Sequence, residues 1–242
     1  MFEYNPMHYD PDEPERVYRG FAYGPLLDVI MLDERTYRAD NRPNDEATYG
    51  PKSRFLGAEH IAWVKRRLLS SRATWKVVAS DMPLSSVVAD SQSFVPKGWY
   101  EGFAQGEHGT PLGREYEIAA LLSFIRANGI RNVVWVTADV RYAQAIHYSP
   151  ERGKFADFMP FWEFISGPIN AGTFGRNDVD GTFGPEVKFT SIPADMKPIR
   201  PPTEGCQFFA QAEIDGGTEV MTVSFKDLNG KELFSHRIEP EV

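Results

Sequence analysis

The stretch from Asn132 to Tyr142 limits the possible folds of this chain more than any other segment. Five strand-favouring residues, Val133–Thr137, are followed at once by a small residue and the carboxylate of Asp139. Because a buried strand reads as a continuous β-branched or aromatic run, the pattern predicts a strand inside a sheet. Open α/β sheets carry their functional groups just past the carboxyl ends of strands. Asp139 is therefore a candidate metal ligand or catalytic carboxylate, or it caps the turn that follows the strand.

His147 follows Asp139 by eight residues and adds a nitrogen ligand to an oxygen ligand. Oxygen and imidazole ligands together are typical of zinc, manganese and iron sites, and additional carboxylates would suit calcium. One Asp and one His do not make a metal site. The competing interpretation is that His147 is an ordinary surface or core residue.

Helical and strand patterns alternate along the first 140 residues. The predicted strands are Val17–Tyr23, Leu26–Leu32, Trp75–Ala79 and Val133–Thr137, and the predicted helices are Gly57–Ser71 and Arg114–Asn128. Gly129 follows the second helix as a C-terminal cap. This alternation predicts an α/β fold with a layered sheet.

Three predicted strands are each followed by an aspartate, namely Asp33, Asp81 and Asp139. Carboxylates that meet at one sheet edge are what a metal-dependent hydrolase needs, because they hold the metal that activates water and offsets phosphate charge. The alternative is that Asp occurs after strands simply because it favours turns.

The second part of the chain has a different character. Residues 155–174 are dense in aromatic side chains, which we expect to form packed core or a loop wall rather than a ligand cage. Further strands are predicted at Val187–Ile192, Gln207–Ile214, Val220–Asp227 and Glu232–Ile238. The last three are joined by Asp-Gly-Gly and Asn-Gly turns, which predict an antiparallel meander that completes or flanks the main sheet.

Composition excludes several classes of protein. The 242 residues carry a formal charge of −8, and no basic stripe exists to bind nucleic acid. No apolar run approaches the ~20 residues of a membrane span. The single cysteine, Cys206, rules out an intramolecular disulfide. Residues 1–16 show no signal peptide, and the sequence assigns no cellular compartment.

Several segments, in this order, resemble the carboxyl-terminal part of the PhoD-like alkaline phosphatase and phosphodiesterase family. They are the strand and Leu-Asp-x-Arg-x-Tyr-Arg of residues 21–38, residues 55–57, 73–81, 113–115 and 136–140, and the later segments 161–168 and 171–175. Each segment is weak alone, and their combined order is specific.

The resemblance implies a fold, an activity and a set of site residues. It implies a β-sandwich core of mixed sheets flanked by helices, and a multinuclear metal centre, with calcium and iron, that cleaves phosphomonoesters or phosphodiesters. Asp139 matches a metal ligand of the family. Asp33 is a secondary metal candidate, and Arg35 and His147 are secondary catalytic candidates.

The sequence departs from the family in two ways. Position 141 is Arg where the family usually has His, and a guanidinium cannot bind a metal because it stays protonated. The two earlier metal-binding motifs of the family have no counterpart here, so residues 1–242 are expected to form a single PhoD-like domain without its amino-terminal part.

Two functions follow from these features. One is a metal-dependent phosphatase or phosphodiesterase that acts on a phosphoester substrate, with the isolated chain inactive or nearly so. The other is a non-catalytic remnant or anion-binding module of the same fold, which could pair with a partner chain that supplies the missing half of the site.

Overall fold

The computed structural model describes residues 11–92, 94, 96–197 and 200–241. In that part of the chain the strands are β1 (Arg19–Tyr23), β2 (Leu27–Met31), β3 (Trp75–Ala79), β4 (Val133–Thr137), β5 (Gln144–Tyr148), β6 (Phe161–Ile165), β7 (Pro185–Thr190), β8 (Phe208–Ile214), β9 (Met221–Asp227) and β10 (Glu232–Ile238). The α-helices are α1 (Ala58–Ser70) and α2 (Glu115–Ala127), and short 3-10 helices span Pro51–Ser53 and Pro202–Glu204. The predicted absence of a signal peptide falls mostly on residues outside this description.

The main sheet is mixed and has the order β1-β2-β3-β4-β6-β5-β7. Strands β2, β3, β4 and β6 are parallel to one another. β1 is antiparallel to β2, β5 is antiparallel to β6, and β7 is antiparallel to β5. Met31 at the end of β2 pairs with Ala79 at the end of β3, and Ala79 pairs with Val136 near the end of β4. The carboxyl ends of these three strands therefore form one edge, called the rim below.

The two faces of the main sheet are covered differently. On one face α1 and α2 pack against each other, and Arg67 of α1 forms an ion pair with buried Asp28 of β2 at 2.6 Å. On the other face lies a second sheet, β10-β9-β8, which is the predicted antiparallel meander. The Phe189 and Phe234 rings stack across this interface with centroids 5.0 Å apart. The predicted layered α/β fold of mixed sheets with helices and a carboxyl-terminal meander is confirmed.

Strands β5 and β6 were absent from the sequence prediction. The predicted packed core at residues 155–174 is confirmed, since Phe158, Phe161 and Phe164 are buried, but part of this aromatic stretch is a strand of the main sheet. The apolar run of β6 is interrupted by Glu163, which is fully buried. Its carboxyl group accepts hydrogen bonds from Thr137 Oγ1, Leu84 N and Tyr148 OH, and burial raises its pKa. A charged residue inside a central strand hides the strand pattern.

The end of α2 confirms the predicted glycine cap. Gly129 has φ 60° and its N–H donates to the Arg126 carbonyl at 3.1 Å, while Ile130 N–H donates to the Ile125 carbonyl at 3.0 Å. These two bonds are those of a Schellman motif. They end the helix just before β4 begins. In the part of the chain that the structure describes, neither helix is long and apolar enough to cross a membrane.

Candidate active site at the carboxyl edge of the sheet

Three side chains from three neighbouring strands meet at the rim. Asp81 follows β3, Asp139 follows β4, and Arg35 follows β2. The Arg35 guanidinium reaches Asp81 Oδ2 with Nε at 2.8 Å and Nη2 at 2.6 Å, and the same Nη2 is 3.5 Å from Asp139 Oδ2. The side chains of Arg35, Asp81 and Asp139 are 53%, 41% and 35% exposed, respectively. The group is therefore open to a ligand. Of the three aspartates predicted to converge, Asp81 and Asp139 meet here through Arg35, whereas Asp33 does not join them and caps the turn after β2.

The charges of the rim act on one another. Partial burial raises the pKa of Asp139, and the nearby Asp81 raises it further, while Arg35 opposes both effects. Burial alone would lower the pKa of Arg35, but the charge of Asp81 and its hydrogen bond, together with Asp139, raise it overall. Two carboxylates with one guanidinium between them leave the group one negative charge in excess.

A buried acid below the rim fixes the position of Asp81. Glu34 is only 2% exposed, and its carboxyl group contacts the two residues that flank Asp81. Met82 N donates to Glu34 Oε2 at 2.7 Å, and Ser80 Oγ hydrogen-bonds to Glu34 Oε1. Burial raises the pKa of Glu34 to about 8, more than these hydrogen bonds lower it. The sequence alone assigned Glu34 no role.

The hydrogen bonds around Glu34 are consistent with a protonated carboxyl group. Ser80 Oγ is within hydrogen-bond distance of both Glu34 Oε1 and the Met82 carbonyl, the latter at 2.9 Å. One hydroxyl has a single proton to donate. A protonated Glu34 supplies the second proton, so the neutral acid satisfies all three groups.

The Asp33 carboxylate contacts the backbone of Arg35 and, among the described residues, forms no contact with Asp81 or Asp139. Its Oδ1 accepts hydrogen bonds from the N–H groups of Arg35 and Thr36, both at 3.0 Å, which is the turn-capping role that Asp often has. Its Oδ2 is buried and has no hydrogen-bond partner in the described part of the chain. The charge of Asp33 acts on His60, which lines a cavity of about 730 Å³ near the start of α1. The role of Asp33 as a metal ligand stays a prediction.

His147 is not brought to the rim. In β5, Gln144 pairs with Ile165 at the carboxyl end of β6, whereas His147 pairs with Trp162 near the beginning of β6. Its ring lies 4.9 Å from the Trp162 ring, and its Nδ1 is 3.2 Å from Arg152 Nη2. Burial lowers the pKa of His147, and Arg152 lowers it further. The catalytic role of His147 stays a prediction, and the structure gives it no contact with the other candidates.

Irregular loops beside the rim are fixed by Arg114, which sequence analysis placed only as the start of a helix. Its guanidinium is fully buried. It donates to the carbonyls of Ala39, Asp40, Tyr100, Glu101 and Gly102 and to Asn41 Oδ1. The loop of Ala39, Asp40 and Asn41 and the loop of Glu101, called the cleft loops below, line with Arg35 and Arg38 a cleft of about 610 Å³. Arg35 connects this cleft to Asp81 and Asp139.

The described residues do not build a metal centre by themselves. Among them, no group of three or more His, Cys, Asp or Glu side chains is placed to hold a metal ion. A calcium ion takes six to eight oxygen ligands, and one oxygen of each aspartate, Oδ2 of Asp81 and Oδ2 of Asp139, is engaged by Arg35. The rim therefore offers two anionic ligands to a metal ion, and two are fewer than a complete set of metal ligands.

Comparison with known proteins identifies the relatives of this chain. A sequence model of PhoD-like phosphatases matches residues 1–225. Alkaline phosphatase D of Bacillus subtilis (strain 168) is 28% identical over 194 residues, which cover 74% of this chain and 31% of that protein. A solved structure described as the structure of PhoD has a TM-score of 0.55 at 20% identity, and the match covers 100% of this chain and 48% of that one.

These matches differ in what they establish. At 20% identity the solved structure supports the fold alone. The chain spans about a third of the length of the Bacillus relative and about half of the solved structure. The family model, in contrast, covers nearly the whole sequence, and the order of segments that resembles the family lies within the matched residues. On this ground the protein belongs to the PhoD-like phosphatase family.

Proposed function

We propose that this chain takes part in the metal-dependent hydrolysis of phosphate monoesters or diesters, with the rim as its share of the active site. The observation that carries the proposal is the meeting of Asp81, Arg35 and Asp139 at the ends of three adjacent parallel strands. Ligand sites of α/β sheets lie at this edge. Membership of the PhoD-like phosphatase family supports the reaction class.

Each residue of the rim has a proposed role. Asp139 is the residue that the family resemblance implies as a metal ligand, and calcium and iron are the ions it implies. Arg35 would offset the negative charge of a phosphate, since a guanidinium matches phosphate oxygens in two-point hydrogen bonds. Asp81 orients Arg35 through its two short contacts.

A second function is favoured by the same geometry. Arg35 lies between the carboxylates and engages both, and the described residues offer no third ligand group. An arrangement of this kind suits a non-catalytic module that binds an anion, or a half-site that a partner chain completes. For the same reason we propose that the 242-residue chain by itself hydrolyses phosphoesters slowly or not at all.

The test is hydrolysis of p-nitrophenyl phosphate and bis-p-nitrophenyl phosphate by the purified chain, with Ca²⁺, Fe³⁺, Mn²⁺ and Zn²⁺ supplied in turn. We expect slow turnover that needs an added metal ion and falls about 100-fold or more in Asp139→Asn, because a charged group at the reacting centre is removed. Asn tolerates the left-handed backbone of position 139, where φ is 61°.

Asp157→Asn is the matched control, since Asp157 is an exposed aspartate paired with Arg126 of α2. Its turnover should equal that of the unchanged protein. Metal-dependent turnover that survives in Asp139→Asn would contradict the assignment of the rim. A folded protein without turnover under any of the metals would favour the second function.

A further inference from the structure

A strained turn places Arg141 beside Asp139. Both residues have left-handed backbone angles, with φ 61° at Asp139 and φ 63° at Arg141, which residues other than glycine rarely adopt. Val140 and Tyr142 are buried, with 4% and 0% exposure, and anchor the turn on its inner side. Asp139 and Arg141 alternate with these anchors and are the exposed and half-buried residues of the turn. Backbone strain of this kind concentrates at functional sites.

The Arg141 guanidinium is held by an aromatic ring instead of a carboxylate. Its Cζ lies 4.0 Å from the centroid of the Phe174 ring, well within the range of a cation–π contact. Within residues 11–92, 94, 96–197 and 200–241 it forms no ion pair and no hydrogen bond. A guanidinium stacked on a ring keeps its N–H donors, which lie in its own plane, free for an anion.

The segment that carries Phe174 is itself fixed. Thr173 is fully buried, and its carbonyl accepts a hydrogen bond from Arg200 N at 3.0 Å. Asn177 N donates to Tyr142 OH at 3.2 Å, which ties the segment to the turn of Arg141. Phe174 is nevertheless 47% exposed. The Arg–Phe pair is thus held in place from both sides, and part of the ring remains open to a ligand.

The net negative charge of the rim indicates a function for the pair of Arg141 and Phe174. Asp81 and Asp139 carry two negative charges and Arg35 carries one positive charge, so the group repels a phosphate unless another cation faces it. Arg141 lies two residues from Asp139, and its charge acts on the Asp139 carboxylate. Arg38 also acts on Asp139, but its Nη2 is bound to Asn41 and to the Glu101 carbonyl, whereas the Arg141 guanidinium has a ring as its contact.

We propose that Arg141, stacked on Phe174, binds the anionic oxygens of the phosphoester, and that Phe174 packs against the ester's organic group. The inference rests on the proposed phosphoester function and adds its substrate class, namely esters of phenols or of other flat, unsaturated groups. Arg141 acts here as a binding residue. A single guanidinium with a ring beside it recognises both parts of such an ester at once.

The experiment measures binding without turnover, so that its outcome is separate from that of the hydrolysis assay. Phenylphosphonate and methylphosphonate, which carry a phosphorus–carbon bond in place of the ester, are titrated calorimetrically into the full chain. The variants are Arg141→Gln and Phe174→Leu. Arg237→Gln is the control, because Arg237 is an exposed arginine of β10 that pairs with Glu239.

We expect Arg141→Gln to bind both phosphonates at least about tenfold more weakly, as the loss of a charge-assisted hydrogen bond predicts. Phe174→Leu should weaken phenylphosphonate more than methylphosphonate, and Arg237→Gln should bind both like the unchanged protein. Circular dichroism establishes that each variant is folded. Equal phenylphosphonate affinity in Arg141→Gln and the unchanged protein, or no binding by the unchanged protein, would overturn the proposal even if hydrolysis is observed.

Discussion

Replacing Glu34 by Gln should make the protein more stable at pH 8 and leave it nearly unchanged at pH 5. Gln has the shape of the protonated acid, so it can accept the Met82 N–H and donate to Ser80 Oγ as the neutral carboxyl group does. What the substitution removes is the ability to ionise inside the protein.

The magnitude follows from the pKa of Glu34, which is about 8 in the folded protein against an ordinary value of 4.5. Because the folded pKa is the higher one, the folded state binds more protons between these pH values, and the free energy of unfolding declines as pH rises through that window. The difference of about 3.5 between the two pKa values corresponds to a total change of about 5 kcal/mol in the free energy of unfolding. About 3 to 4 kcal/mol of that change falls between pH 5 and pH 8.

The assay is urea unfolding at pH 5, 6, 7 and 8, followed by circular dichroism. Glu115 also has a pKa raised to about 8 by burial, but it is present in both proteins and cancels in their difference. Glu232→Gln, at an exposed position of β10, is the control and should follow the unchanged protein at every pH. Curves for Glu34→Gln and the unchanged protein that stay parallel from pH 5 to pH 8 would refute the argument.

Three further substitutions test buried contacts that hold the fold together. Arg114→Met should destabilise the protein by about 3 kcal/mol or more in urea unfolding, since it leaves several buried carbonyls of the two cleft loops without donors. Gly113→Ala should lower the melting temperature by several degrees or more, because φ is +50° and the new Cβ would lie 2.4 Å from Asn44 O, whereas Gly109→Ala meets nothing within 4 Å and should not. Tyr148→Phe should cost about 1 to 3 kcal/mol, because it removes a hydrogen bond to the buried Glu163, and an unchanged unfolding midpoint would contradict this.

Local patterns predicted the two helices, the short apolar runs and the strands that turn residues delimit. β3, β4 and β10 begin and end as the sequence predicted, and both helices lie within one residue of the expected bounds. β5 and β6 were missed because their sequences contain His147 and Glu163, and only the tertiary contacts of these polar side chains show why they are tolerated there.

For the candidate site, too, local sequence patterns predicted one part, and the rest depends on tertiary contacts. A strand followed by Asp is visible in the sequence, and it located Asp81 and Asp139 correctly at one edge. Which partner a side chain faces depends on strand order, and no spacing rule places β5 antiparallel to β6, which is what moves His147 away from the rim. Buried Arg114 was not recognised either, since a charged residue at the start of a helix is ordinarily solvated.

The location of a bound phosphate tests the central claim most directly. A crystal structure of the protein soaked with inorganic phosphate and Ca²⁺ should show the phosphate at the rim, within about 3 Å of the Arg35 and Arg141 guanidinium nitrogens and next to Asp139. A phosphate found instead in the cavity near His60 and the start of α1, with the rim empty at a concentration that saturates binding in solution, would contradict the account.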